Sequence, residues 1–99
     1  MSVYMIIEAK EVMDKNKYME YVQQVPPLVE KFGGKYLARG GKVTVVSGDW
    51  NPGRVIIIEF ASMEKFNAWW NSPEYRLVAP LREQSAKVNA VIIEGTDII

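Results

Sequence analysis

The chain of 99 residues contains no cysteine and no histidine. Without cysteine it can form no disulfide, no thiolate nucleophile and no Cys-ligated zinc or iron–sulfur site. Without histidine it lacks the usual general base near neutral pH, the commonest metal ligand and the axial ligand of a His-bound haem. These two absences exclude many familiar routes to catalysis, and we predict neither a metal site nor a tightly bound cofactor.

The charges of the chain balance, with 12 basic and 12 acidic residues. A net charge of zero argues against nucleic acid as a partner, because phosphate binding needs a basic excess or patch. No apolar run is long enough to span a bilayer, and the N-terminus lacks the basic and apolar regions of a signal peptide. We therefore expect a cytoplasmic protein with no nucleic-acid or membrane partner, folded as a single domain over residues 1–99.

The first third of the chain predicts a strand followed by a helix. Residues 3–9 are short and apolar, as in a strand. Asp14 is a good N-cap, and apolar residues then recur at helical spacing until Gly33-Gly34, which end the helix. Pro26-Pro27 lacks two backbone donors, so we expect a bend or a short break there. The helix should not stop at this point, because its apolar face continues.

The middle of the chain predicts two strand-like pieces, Lys35–Arg39 and residues 43–47. Gly40-Gly41 between them is either a tight hairpin turn or a bulge in one bent strand. We favour the bulge, because the first piece is too short to be a stable partner alone. Residues 54–61 predict the next strand.

The remainder predicts a helix capped by Ser62, a new helical segment at Ser72-Pro73 and a last strand over residues 87–94 that ends at Gly95. The complete order is strand, helix, strand, strand, helix, strand. This order indicates an α+β, ferredoxin-like βαββαβ fold with an antiparallel sheet and helices on one face.

Two strands lack the apolar–polar alternation of a sheet with one wet face. Residues 55–60 and 90–93 are apolar at almost every position. Helices can cover only one face, so the other is either half-covered by loops or packed against a second subunit. We favour a homodimer formed through the sheet faces, because large exposed apolar patches are uncommon on monomers.

Several motifs together carry a family resemblance over nearly the whole chain. They are Gly33-Gly34-x-Tyr36-Leu37-Ala38-Arg39-Gly40-Gly41, Trp50 with Arg54, Ile58-Glu59-Phe60, Trp70-x-Ser72-Pro73-Glu74-Tyr75 and Arg82. With them the chain resembles the family catalogued as domain of unknown function 1330. The resemblance implies the dimeric α+β barrel superfamily, in which two ferredoxin-like subunits place their sheets face to face. That superfamily includes cofactor-independent monooxygenases, lactone isomerases, haem-handling enzymes and ligand-sensing domains, so the resemblance implies no single reaction.

Glu59 is the most unusual residue, because it is a carboxylate inside an apolar strand. Burial of a carboxylate is unfavourable unless it is paired, and Arg39, Arg54 and Arg82 are its candidate partners. We expect Glu59 to be buried and hydrogen-bonded to an arginine, foremost Arg39. Three roles stay open: an ion pair that fixes register or interface, a base or ligand-orienting group, or a solvated strand end.

Arg39 also has two interpretations. The small residues beside it, Ala38 and Gly40, allow close backbone approach and free its guanidinium to reach an anion. Arg39 either pairs with Glu59 or recognises a carboxylate or an enolate. Glu59 and Arg39 are therefore the candidate catalytic residues.

Tyr18, Trp70 and Tyr75 are aromatic residues in helical segments. Such rings usually fill the core, but their polar tips seek partners when buried. Alternatively, these three rings lie at the mouth of a small apolar cavity on the helix side of the sheet. The full set of predicted ligand-binding residues is Tyr18, Arg39, Glu59, Trp70, Tyr75 and Arg82.

Two functions remain open at this point. The first is binding or conversion of a small organic molecule without a tightly bound cofactor, and the superfamily analogy suggests a monooxygenase or an isomerase. The second is a non-enzymatic homodimer that binds a metabolite or a protein. No set of residues demands catalysis.

Overall fold

The computed structural model describes residues 1–96, which form one antiparallel four-stranded sheet and three helices. The elements in chain order are β1 (Val3–Val12), α1 (Lys15–Lys31), β2 (Lys35–Arg39), β3 (Arg54–Phe60), α2 (Met63–Trp70), α3 (Pro73–Ser85) and β4 (Ala86–Glu94). The strand order across the sheet is β2-β3-β1-β4. This is the ferredoxin-like α+β fold that the sequence predicts, with the second helical region divided into α2 and α3.

Helix α1 begins and ends where the sequence indicates. The Asp14 side chain caps it by accepting a hydrogen bond from the Lys17 backbone N–H at 3.1 Å. The helix continues through Pro26 and Pro27 without a break. Its buried face extends beyond them to Val29, which is fully buried, and this packing explains why the helix does not stop at the prolines.

Gly33 and Gly34 connect α1 to β2, as predicted. Gly33 has a φ of 84°, and its N–H donates to the Glu30 carbonyl at 3.0 Å. Gly34 lies so close to the core that an added Cβ would be 2.6 Å from Val29 Cγ1 and 2.8 Å from Phe60 Cε1. The second glycine is therefore required by close packing and the first by backbone conformation.

The predicted strand over residues 43–47 is wrong. Residues 41–53 contain no helix or strand, and Val46 is 94% exposed. Gly40, with a φ of 75°, turns the chain away after its N–H donates to the Val55 carbonyl at 3.1 Å. The valines of this segment line a hollow between the segment and the sheet and pair with no strand, so an apolar composition is not sufficient to form a strand here.

A bulge is present in β2, but it lies earlier than Gly40-Gly41. Tyr36 is opposite Ile58, whereas Ala38 is opposite Ile57 and Arg39 is opposite Ile56. Leu37 is therefore an extra residue in β2. An extra residue reverses the face to which the following side chains point, so Tyr36 and Arg39 share a face although they are three residues apart.

The two faces of the sheet differ sharply in burial. The face toward the helices carries the buried core residues Val3, Met5, Ile58 and Phe60. The other face, which we call the open face, carries Tyr4, Ile6, Val55, Ile57, Val91 and Ile93. Val91 and Ile93 are 56% and 49% exposed. Apolar side chains on the open face are therefore not covered by any other part of residues 1–96.

None of the helices within residues 1–96 is both long enough and apolar enough to cross a bilayer.

Substitution of Gly34 by alanine tests the close approach of α1 to the sheet. We expect Gly34→Ala to lower the free energy of unfolding by about 1–3 kcal/mol, because the new methyl group collides with Val29 and Phe60. Gly41→Ala is the matched control, since no atom lies within 4 Å of its added Cβ, and its effect should stay within about 0.5 kcal/mol. Urea unfolding of both variants measures the difference, and equal stabilities would contradict this packing.

Candidate functional site

A small cavity lies between α1, α3 and the helix-facing side of the sheet. Its volume is about 40 Å³, enough for a few water molecules. Most of its walls are apolar, and its polar members come from both helices and from β2 and β3. The lining residues include Met5, Ile7, Tyr18, Tyr21, Val25, Tyr36, Arg39, Arg54, Ile56, Ile58, Trp69, Tyr75, Arg82 and Val88.

Two tyrosine hydroxyls meet at this cavity. The Tyr21 and Tyr75 oxygens form a hydrogen bond of 2.9 Å between α1 and α3. Burial, followed by the neighbouring Tyr75 oxygen, raises the pKa of Tyr21 far above its ordinary value, while the charge of Arg82 partly opposes this shift. Tyr21 therefore stays a neutral phenol at physiological pH. One proton of the hydroxyl pair joins the two oxygens, and the other is free to be donated.

The turn between α2 and α3 places Tyr75. The Ser72 side chain accepts a hydrogen bond from the Tyr75 N–H at 3.1 Å and donates one to the Trp69 carbonyl at 2.8 Å. Pro73 occupies the first turn of α3, as the sequence indicates. This cap brings the Trp69 and Tyr75 rings together with centroids 4.4 Å apart.

Three arginine side chains line the cavity from three different elements. Arg39 of β2 lies over the Tyr36 ring at 5.0 Å, and Arg82 of α3 lies over the Trp70 ring at 5.8 Å. Arg54 of β3 packs against Gly40, where an added Cβ would be 2.5 Å from Arg54 Nη1. Among residues 1–96, none of the three guanidinium groups forms an ion pair.

Three nitrogen donors beside the cavity are buried without an acceptor in the described part of the chain. They are Arg54 Nε, Arg82 Nε and Trp69 Nε1. Buried donors normally have partners, and an unpaired one is unfavourable. All three donors belong to residues that line this one cavity.

Four predicted ligand-binding residues line this cavity: Tyr18, Arg39, Tyr75 and Arg82. Trp70 lies behind Tyr75, with ring centroids 5.3 Å apart, and does not line it. Its neighbour Trp69 takes that place and is almost fully buried.

The predicted pair between Arg39 and Glu59 is wrong. Glu59 is only half-buried, and it lies between Ile58 and Phe60, which both face the helices, so its side chain is on the open face. Arg39 lies on the helix-facing side because the Leu37 bulge turns it there. The cross-strand neighbours of Glu59 are Tyr4 and Lys35.

Sequence reasoning did not assign Tyr21, Arg54 or Trp69 to the site. Tyr21 follows Tyr18 by three residues and precedes Val25 by four, so all three share a helix face. That spacing was sufficient to place Tyr21 beside Tyr18. The hydroxyl bond to Tyr75 was not predictable, because it depends on the tertiary approach of α3.

A second, larger hollow of about 460 Å³ lies between the open face and the 41–53 segment. Its walls are apolar or hydroxyl-bearing, and include Ile6, Val45, Val55 and Ile57. Trp50 holds one end of the segment by donating its indole N–H to Glu8 Oε2 at 3.2 Å. No charged group is among its lining residues in the described part of the chain. The hollow is therefore better suited to contact with an apolar side chain than to binding a polar ligand.

The cavity groups favour anions over metal ions. Guanidinium groups carry positive charge and have no acceptor atom, so they cannot ligate a cation. Within residues 1–96, no group of three or more carboxylates lies close enough together to hold a metal.

A family model described as Domain of unknown function (DUF1330) matches residues 2–96. The chain belongs to this family. The family resemblance expected from the sequence motifs is thus confirmed. A comparison of this DUF1330 protein with curated proteins found no match.

Solved structures similar to this DUF1330 protein share its fold at low sequence identity. A protein of unknown function from Rhodopseudomonas palustris has a TM-score of 0.78 at 19% identity, over 98% of this chain and 84% of that one. A dimeric ferredoxin-like protein of unknown function from Jannaschia sp. CCS1 has a TM-score of 0.76 at 12% identity, over 96% and 100%.

A further similar structure is SnoaB from Streptomyces nogalater, described as a cofactor-independent oxygenase. Its TM-score is 0.69 at 8% identity, over 99% of this chain and 96% of that one. At such identities the likeness establishes the fold alone.

Alkaline titration tests the environment of the cavity tyrosines. Burial raises the pKa of Tyr36 to about 12 from an ordinary 10.0, although the charge of Arg39 opposes the shift. The folded protein thus retains this proton at a pH where the unfolded chain has lost it. The free energy of unfolding should therefore fall as the pH rises from about 10 to about 12.

Phenolate absorbance followed with pH measures the ionisation directly. The five tyrosines should not ionise together, and Tyr36→Phe should remove a transition near pH 12. A single transition near pH 10 for all five would show that Tyr36 is in ordinary contact with water.

Proposed function

We propose that this protein is a homodimer that binds a small organic molecule in the helix-side cavity, without a tightly bound cofactor. The observation that carries the proposal is the set of buried, unpartnered donors around a cavity with mostly apolar walls within residues 1–96. Apolar walls with a few convergent polar groups are typical of small-molecule sites. A ligand that accepts hydrogen bonds from Trp69 and the arginines would satisfy these donors.

The residues that line the cavity favour binding of a small molecule over its chemical conversion. The chain has no histidine, and no carboxylate is found among the lining residues of the described part of the chain. Glu59, a candidate catalytic residue for which the role of base was one of three open, is on the opposite face of the sheet. A general base within reach of a ligand is therefore missing from the lining, which supports the non-enzymatic interpretation.

Conversion is the second candidate, and the tyrosine pair is the observation that favours it. A neutral Tyr21–Tyr75 pair can donate a hydrogen bond to a developing oxyanion such as an enolate, and this stabilises a transition state in a water-poor site. An isomerase- or monooxygenase-like reaction would then need a substrate acidic enough to lose its proton to water, and a monooxygenase-like reaction would in addition need molecular oxygen as the oxidant. The oxygenase among the similar structures is compatible with this but supports the fold only.

Dimerisation through the open face is supported by its exposed apolar surface. Val91 and Ile93 are each about half-exposed on β4, and the hollow beneath the 41–53 segment adjoins them across Ile6. A second copy of the chain would cover this surface. The protein from Jannaschia sp. with the same fold is described as dimeric.

Sedimentation equilibrium at micromolar concentration tests the dimer. The native chain should sediment as a dimer, and Val91→Lys should produce a folded monomer, because it places a charge in the proposed interface. Leu77→Lys is the matched control, since Leu77 is 81% exposed on α3 away from the sheet, and it should remain dimeric. A native monomer that stays folded and soluble would contradict the proposal.

Native mass spectrometry of freshly purified protein tests the ligand. We expect a retained small mass that is released on denaturation. Val88→Trp should abolish the retained mass, because Val88 is a half-buried lining residue and an indole there would fill the cavity. If the native protein retains nothing, and neither a set of organic acids nor one of neutral compounds changes its tryptophan fluorescence, the binding proposal fails.

A further inference from the structure

We infer that the ligand is an organic carboxylate, held by the guanidinium groups of Arg54 and Arg82 with its hydrocarbon body against the apolar walls. This inference rests on the proposed function and specifies the chemical class of its ligand. It depends on three features: uncompensated positive charge, buried unpartnered donors and arginine side chains held in place by their neighbours.

The charged side chains around the cavity are all positive. Arg39, Arg54 and Arg82 bring three positive groups to a lining in which, within residues 1–96, no carboxylate takes part. The chain as a whole is neutral, so this concentration is local. Like charges around a small space repel one another, and an anion in that space would be attracted to all three.

The unpartnered Nε atoms identify which arginines bind the anion. Nε of Arg54 and Nε of Arg82 are buried without an acceptor in the described chain, whereas Arg39 is exposed to solvent. A guanidinium group presents Nε and one Nη as a fork that matches the two oxygens of a carboxylate. Arg54 and Arg82 are therefore the binding pair, and Arg39 lies at the entrance.

Both binding arginines are positioned by residues that do not touch the ligand. Gly40 has no side chain, and this leaves the space that the Arg54 guanidinium occupies. The Trp70 ring lies under the Arg82 guanidinium at 5.8 Å, as in cation–π contacts. A pre-positioned side chain loses less freedom when it binds, and this increases affinity.

The apolar walls favour a carboxylate over an inorganic anion. Met5, Ile7, Ile56 and Ile58 form the side of the cavity next to the sheet, and these side chains offer no hydrogen bond to a phosphate or sulfate oxygen. A carboxylate has one polar end and one apolar end, as the cavity does. The volume of about 40 Å³ favours a carboxylate with a short hydrocarbon chain.

Titration of the full-length protein by two-dimensional ¹H–¹⁵N NMR tests this inference, because arginine Nε–H and tryptophan Nε1–H signals are observed directly. The probes are propionate, its uncharged isostere propionamide, and inorganic phosphate. We expect propionate to shift the side-chain signals of Arg54, Arg82 and Trp69 in a saturable manner. Propionamide and phosphate should bind at least about tenfold more weakly, because one lacks the charge and the other the apolar body.

Variants separate the binding arginines from others nearby. Arg54→Gln and Arg82→Gln should each weaken propionate binding about tenfold or more, with Arg54→Lys intermediate because it keeps the charge but loses the fork. Arg76→Gln is the matched control for Arg82→Gln. Arg76 lies on α3, as Arg82 does, and its guanidinium is over the same Trp70 ring at 4.9 Å, but Arg76 does not line the cavity. Its affinity should be unchanged, and thermal unfolding confirms that each variant is folded.

The outcomes distinguish this inference from the proposed function. Equal binding of propionamide and propionate, tighter binding of phosphate, or full affinity in both glutamine variants would overturn the carboxylate inference. The small-molecule proposal would survive equal binding of propionamide and propionate, and it would survive full affinity in both glutamine variants. If native mass spectrometry also finds no retained compound and no probe shifts any cavity signal, both proposals fail.

Discussion

The packed rings of Phe60, Trp69 and Tyr75 hold the C-terminal helices against the sheet, and the cavity depends on this contact. Trp69 lies 5.5 Å from Phe60 and 4.4 Å from Tyr75 between ring centroids, so one side chain joins β3 to both α2 and α3. Because all three are almost fully buried, they fix where α3 starts. That position in turn brings the Tyr75 hydroxyl to Tyr21 and directs Arg82 over the cavity.

Most of the fold could be predicted from the sequence because its signals are local. Asp14, Ser62 and Ser72 each cap a helix where the residue type indicates, and the caps are short-range hydrogen bonds. The 41–53 segment is different. Its valines have the composition of a strand, but the glycine at position 40 turns the chain away from the sheet edge, and composition alone carries no information about a missing pairing partner.

The candidate site was only partly predictable, because it depends on which face each strand residue occupies. Tyr18, Arg39, Tyr75 and Arg82 were identified from residue type, and they do meet. The assignment of Glu59 failed because a carboxylate between two core-facing residues must face the other way. The positions of Arg54 and Trp69 in the cavity lining depend on long-range packing, which residue spacing cannot reveal.

The bulge at Leu37 decides on which face of the sheet Arg39 lies. If β2 kept all its residues but continued as a regular strand, Leu37 would lie opposite Ile57 and Arg39 would point to the open face, on the side of Glu59 and Lys35. Its charge would then belong to the surface proposed for subunit contact instead of to the cavity. Deletion of Leu37 would not have this effect, because Ala38 and Arg39 already lie opposite Ile57 and Ile56 and would keep that register. Counting alternate residues from Tyr36 along the sequence would therefore assign Arg39 to the wrong surface.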